Sequence, residues 1–164
     1  MITDLFRSSR TRRNVRFTNT LRVERPAGVV FDYLADLRNL PAWNYAISET
    51  RPLTPGPAGL GTVYEQSRTL PWVMRERLEI VEYERDRRLV VEGGFGLFQG
   101  RATYTLEGSA TATDLVNEIE LEAGALGALG GLPARGMAGA VAKNLHVLKD
   151  ILEAPDAGNG TTAW

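Results

Sequence analysis

Leu21-Arg22-Val23-Glu24-Arg25-Pro26-Ala27-Gly28-Val29-Val30-Phe31-Asp32-Tyr33-Leu34-Ala35-Asp36 joins two periodicities at one proline. Upstream, Phe17, Leu21 and Val23 alternate with Thr18, Thr20, Arg22 and Glu24, the period-two pattern of a half-buried strand over 17–24. Pro26 stops that strand, because it has no amide hydrogen for a ladder and its fixed φ suits the first turn of a helix. Ala27, Val30, Phe31 and Leu34 then recur at helical spacing, which predicts an amphipathic helix over 26–35 with its stripe turned to a core.

Working outward, Asp36, Asn39 and Pro41 punctuate a second short helical turn within 37–45, with Leu40 and Trp43 packing inward. Pro55 to Gly61 is too rich in proline and glycine for helix or strand, so it reads as a loop between strands 46–53 and 62–69. Four more strands are expected at 73–84, 87–93, 97–107 and 113–122. Phe98, Ala102, Tyr104 and Leu106 oppose Gln99, Arg101, Thr103 and Thr105, while Leu115, Asn117, Ile119 and Leu121 oppose Glu118, Glu120 and Glu122. One sheet face is therefore wet and the other covered. The Gly/Ala-rich run 123–142 reads as loop or loosely wound helix; Pro133, Arg135 and its few large apolar side chains argue against a membrane span. Met137, Val141, Leu145, Leu148 and Leu152 give a C-terminal helix one apolar face, with Lys143, His146, Lys149, Asp150 and Glu153 mostly on the other side. Strands and helices that are segregated along the chain indicate an α+β fold.

The 164 residues, 43% hydrophobic and 24% charged, suffice for one domain, expected over 14–153. Residues 1–13 are expected to form a flexible basic arm and 154–164 a disordered tail. Through Arg16, the N-terminal stretch holds Arg7, Arg10, Arg12, Arg13 and Arg16 against Asp4, although the whole chain has a net charge of -1. No global field recruits nucleic acid, and none is expected as a partner. The absence of cysteine and the single histidine remove thiol, disulfide, iron–sulfur and the usual zinc chemistry, so no metal is expected. No Walker loop, dinucleotide fingerprint or nucleophile elbow occurs, and no cofactor is expected. No secretory signal is seen at the N-terminus, which leads to the expectation of a cytoplasmic protein without an integral membrane segment.

The run Leu21-x-Val23-x-x-Pro26-Ala27-x-x-Val30-Phe31-x-Tyr33-Leu34-x-Asp36, followed by Asn39, Pro41 and Trp43, resembles the N-terminal signature of the SRPBCC superfamily, the START-domain and polyketide cyclase/dehydrase group. The Pro55-Gly56-Pro57-x-Gly59-x-Gly61-Thr62 strand entry, Val81 to Arg85 before Arg88-Leu89, and the terminal Leu148-Lys149-x-x-Leu152-Glu153 agree with it. The resemblance covers about residues 14–153 and implies a helix-grip fold, a curved seven-stranded antiparallel sheet wrapped around a long C-terminal helix. It also implies a deep pocket between sheet and helix for a lipid, polyketide, quinone or similar molecule. It carries over no universal catalytic motif.

Alternation places Tyr64 and Gln66, then Glu76, Leu78 and Ile80, then Phe98, Tyr104, Asn117 and Ile119 on the helix-facing side, with Met137 and Val141 facing them from the helix. Tyr64, Tyr104 and Asn117 are the informative members, since an inward polar group needs a partner. Glu76 is the candidate general acid or base, set against pairing with an arginine or a bulge that turns it outward. Trp72, in the turn Leu70-Pro71-Trp72-Val73-Met74, is a candidate for the pocket rim, while Trp43 reads as core. Gly93 to Phe98 reads as a turn closing one mouth, and His146 as solvent-exposed. Three functions compete: a binding protein for a hydrophobic or amphipathic small molecule, a polyketide cyclase/aromatase or dehydratase using the same cavity, and an interaction module with a collapsed pocket. Oligomeric state is not fixed by the sequence, and a homodimer stays open.

Overall fold

A computed structural model describes residues 14–70, 72–123 and 134–155. In chain order these form β1 (Asn14–Val23), α1 (Ala27–Ala35), a 3-10 turn (Leu37–Asn39), α2 (Leu40–Trp43), β2 (Ile47–Pro52), β3 (Val63–Arg68), β4 (Met74–Glu84), β5 (Arg88–Phe95), β6 (Phe98–Gly108), β7 (Thr113–Ala123) and α3 (Ala134–Glu153). The strands make one antiparallel sheet in the order β1-β7-β6-β5-β4-β3-β2. β1, the first strand, lies at one edge, yet its partner is the last strand, so the first and last strands close that side of the sheet together.

The sheet curls around α3, and the core lies in the concavity. Val30, Phe31 and Leu34 of α1, Leu40 and Trp43 of α2, and Leu145, Leu148 and Leu152 of α3 are buried against Ile80, Leu89, Leu106 and Leu115 of the sheet. Phe31 meets Tyr83 edge to face at 5.0 Å. The C-terminal end of α3 is tied to the first strand and the turn after it. The Arg25 guanidinium donates to the Leu152 and Ala154 carbonyls at 2.7 and 3.0 Å, Lys149 donates to the Arg22 carbonyl at 2.7 Å, and the Glu24 amide donates to Glu153 at 2.7 Å. These contacts satisfy carbonyls that a helix end leaves open and fix α3 across the sheet.

Two opposed glycines permit a close approach of neighbouring strands. Gly93 and Gly100 are directly opposed on β5 and β6. Gly93 has φ +153°, and a Cβ there would sit 2.0 Å from the Arg77 carbonyl oxygen; a Cβ on Gly100 would sit 2.5 Å from Leu121 Cδ2 and 2.6 Å from the Glu120 carbonyl oxygen. At this row neighbouring strands approach so closely that only residues without side chains fit.

The predicted order and type of elements hold throughout. Pro26 caps α1 from outside the helix, which begins at Ala27. Gly93, Gly94 and Phe95, read from sequence as part of a turn, extend β5, and the reversal narrows to Gly96-Leu97, with Gly96 at φ +72°. Extended glycines look like a loop in sequence because neither side-chain periodicity nor β propensity marks them. On α3, Val147 and Ile151 lie exposed while Asn144 is buried. The basic arm over 1–13, residues 156–164 of the expected tail, and positions 124–133 of the Gly/Ala run lie outside the described residues.

Candidate functional site

Between the concave sheet face and helices α2 and α3 lies a cavity of about 360 Å³. Its walls are apolar: Phe17 and Ile119 on β1 and β7, Val91 and Ala102 on β5 and β6, Leu78 on β4, Trp43 on α2, and Met137 and Val141 on α3. Polar atoms enter at a few points, from Gln66, Arg68, Tyr104, Asn44 and Asn144. This combination, an apolar hole with a few convergent polar groups, suits a small-molecule site.

The sharpest polar feature is built by β3 and β4. Tyr64, Gln66 and Arg68 are two residues apart on β3 and share its inward face; Gln66 is opposed to Glu76 on β4. Glu76 points inward, as alternation predicts, and its carboxylate is closed by protein donors. Arg68 Nε lies 3.1 and 3.0 Å from its two oxygens, Gln66 Nε2 donates at 2.6 Å, and the Gly96 amide donates from the β5–β6 turn. Both ionic side chains are withdrawn from water, Arg68 to 12% and Glu76 to 4% side-chain exposure. A buried charge is tolerated when paired and hydrogen-bonded, and here that condition is met for the carboxylate. The guanidinium is anchored through Nε alone, and among the described residues its two amino groups have no hydrogen-bond partner. Arg68 therefore presents a fixed pair of cationic donors to the cavity.

The opposite flank differs. Tyr104 on β6, Asn117 on β7 and Asn19 on β1 form one cross-strand row. Tyr104 lines the cavity, and burial pushes its hydroxyl well above the usual tyrosine range. It stays protonated through neutral pH and serves as a donor, not a base. Asn117, expected at the site, lies outside the cavity lining: it is 1% exposed, gives one long bond of 3.4 Å to the Thr103 carbonyl, and among the described residues its side-chain oxygen, like Asn19 Nδ2, has no partner.

Of the other sequence-derived candidates, Gln66, Leu78, Met137 and Val141 line the cavity together with Tyr104. Tyr64 is buried beside the 3-10 turn, where burial and the nearby Asp36 charge raise its hydroxyl and the Leu37 backbone hydrogen-bonds it. Phe98 is buried in the core near the β5–β6 turn, and Trp72 stands 52% exposed on the β3–β4 turn, outside the lining. His146 is exposed, its Nδ1 2.8 Å from the Ala142 carbonyl of its own helix. Sequence reasoning passed over Arg68. The same alternation that turned Gln66 inward turned Arg68 inward too, but a charged residue at a strand end ordinarily reads as solvated. Among the described residues no group of three or more His, Asp or Glu side chains is placed to hold a metal, and no helix is long and apolar enough to cross a membrane.

Residues 14–153 match the family model described as polyketide cyclase/dehydrase and lipid transport. The chain belongs to that family. The match spans the stretch expected to form one domain. No curated protein matches this family member in sequence. Its fold is similar to the Zhui aromatase/cyclase from Streptomyces sp. R1128, with TM-score 0.65 and 16% identity over 85% of this chain and 94% of that one. It is also similar to a START superfamily protein from Mycobacterium smegmatis, with TM-score 0.64 and 12% identity over 84% and 94%. A truncated norcoclaurine synthase from Thalictrum flavum gives TM-score 0.63 and 11% identity over 87% and 95%. Identities this low concern the fold alone, and the helix-grip architecture of this polyketide cyclase/dehydrase family member is the conclusion they carry.

Proposed function

We propose that this family member binds an amphipathic small molecule of lipid, polyketide or quinone character in the cavity under α3, with the ligand's polar end at Arg68. The observation that carries this is the junction of an apolar cavity of about 360 Å³ with a guanidinium held by Glu76 and open at both amino groups. Cavity burial supplies affinity in proportion to apolar area, and the fixed donors supply orientation. The volume also speaks against a collapsed interaction module, since it lies within the range of about 300–1,000 Å³ usual for small-molecule pockets. A cytoplasmic location fits this role.

Native mass spectrometry of the purified protein, followed by organic extraction, tests it. The expected result is a stoichiometric apolar adduct, or failing that a displaceable complex with an anilinonaphthalene probe, diminished by Ala140→Phe and by Arg68→Met. Clean apo masses together with no probe uptake would overturn the proposal.

Cyclisation or dehydration of a polyketide-like substrate is the second function this geometry supports. The Arg68 guanidinium and the Tyr104 hydroxyl, which burial holds protonated, belong to one cavity wall. Donors fixed toward a carbonyl oxygen stabilise the enolate that such chemistry requires. Glu76 then positions Arg68. Turnover that falls in Arg68→Lys and Tyr104→Phe, while substrate still binds, would establish it.

A further inference from the structure

We infer that the ligand of this cavity carries a second, neutral oxygen function, a hydroxyl or a carbonyl, received by Asn144 of α3 and Tyr104 of β6, apart from the polar end held at Arg68. This rests on the binding function proposed above and narrows its ligand class. Asn144 is 7% exposed and Tyr104 9%, and both line the cavity. The other polar side chains of the wall that are withdrawn from solvent are engaged: Gln66 and Arg68 donate to Glu76, and Asn44 accepts from the Ala46 amide. Among the described residues the Asn144 amide and the Tyr104 hydroxyl make no hydrogen bond. Neither belongs to the unpartnered atoms that the protein seals off, such as Asn19 Nδ2 and Asn117 Oδ1, so both meet the space of the cavity. Buried polar groups are ordinarily paired, and an amide turned from a helix into an apolar hole points to a guest that pairs it.

The anchors of α3 bring the two groups to one level. Lys149 donates to the Arg22 carbonyl and Glu153 accepts from the Glu24 amide, both at 2.7 Å. From the first anchor to the second, the helix rises about 6 Å and the strand about 6.6 Å, so α3 runs in step with β1. About 7.5 Å back along the helix from Lys149 stands Asn144, and the same length back along the strand from Arg22 reaches Thr20 and Asn19. Asn144 thus lies level with the cross-strand row of Asn19, Asn117 and Tyr104. Arg68 stands elsewhere, since β3 is three strands from β6, roughly 14 Å along the sheet. A ligand carbonyl can accept from both the tyrosine hydroxyl and the amide nitrogen, and a ligand hydroxyl can in addition donate to the amide oxygen. The wall therefore selects an apolar body with an acidic or polar group at one end and a neutral oxygen distant from it. A plain alkyl tail would leave Asn144 and Tyr104 unpaired.

Displacement of an anilinonaphthalene probe from the full chain by decanoate, dodecanoate and tetradecanoate, each beside its ω-hydroxy derivative, is the test. A cavity that is only apolar disfavours the added hydroxyl, whose desolvation goes uncompensated. The wild type is expected to bind the ω-hydroxy acid of matching length about tenfold more tightly than its parent. Asn144→Leu should reverse that preference and raise the melting temperature of the ligand-free protein, because an unpaired buried amide is removed. Tyr104→Phe, which keeps the ring, should cut the preference to about threefold or less. Arg68→Met should weaken both members of each pair alike and leave their ratio unchanged. A wild type that favours the parent acid at every length, acids that never displace a bound probe, or a preference that survives both Asn144→Leu and Tyr104→Phe would overturn the inference and leave the binding function standing. Absence of probe uptake together with clean apo masses would overturn both.

Discussion

The two flanks of the concave face handle buried polarity in opposite ways. On β3 and β4, Glu76 receives four protein hydrogen bonds from three residues, and the ion pair it forms with Arg68 is rigidly placed. On β1 and β7, among the described residues, Asn19 and Asn117 keep an amide nitrogen and an amide oxygen without partners, and the neighbouring Tyr104 hydroxyl has no hydrogen bond. The first flank is built to hold a group still; the second has unspent hydrogen-bonding capacity. Of that polar row only Tyr104 lines the cavity; Asn117 and Asn19 lie behind the lining.

The strongest way to break this contrast is Glu76→Leu, which strands the Arg68 charge in a site withdrawn from water. A loss of about 3–5 kcal/mol in urea-denaturation stability is expected. Adding Arg68→Met should return most of it, to within about 1 kcal/mol of wild type, because removing both partners removes the desolvation problem with them. Failure of the double variant to recover would mean that Gln66 and Gly96 depend on the carboxylate for more than charge balance. Asn117→Val tests the other flank, with an expected change under about 1 kcal/mol, toward stabilisation, since an amide with one long bond and an unpartnered oxygen gives way to a β-branched apolar side chain.

The smallest effect at neutral pH is that of Tyr104→Phe, which should appear only in alkali. Burial raises the Tyr104 pKa above the ordinary value of about 10. The native state then holds a proton that the unfolded chain gives up, so the stability due to the neutral hydroxyl is complete below pH about 10 and is lost as pH rises toward the folded value. Chemical denaturation at increasing alkaline pH should show a steeper decline for wild type than for Tyr104→Phe. Parallel curves would mean that the hydroxyl reaches water and that the polar row is not sealed.

The same contrast shows what was legible in the sequence. Period-two alternation settled which side of each strand faces α3, and so turned Gln66, Glu76, Leu78 and Tyr104 inward on the order of residues alone. It could not bring Arg68 to Glu76, because that pairing depends on the β3–β4 register, in which Gln66 and not Arg68 opposes Glu76 and the arginine reaches diagonally. The Gly96 donor was equally hidden, being a backbone group delivered by a turn 20 residues away. Nor does local pattern say that Gly93 and Gly100 meet, since their demand for space comes from Arg77, Glu120 and Leu121 on neighbouring strands. What periodicity conveys is facing; what it omits is everything decided between strands.

At Gly93 and Gly100 the strands pack main chain against main chain, so this part of the wall is fixed by the backbone. The residues that line the cavity can be exchanged without unmaking the hollow, whereas a single methyl at position 93 would meet a backbone oxygen at 2.0 Å. Such a scaffold separates the capacity to enclose a guest from the choice of guest: selection can rewrite the wall at Val91, Ala102, Ile119 or Val141 for a new molecule while the two bare positions preserve the vessel.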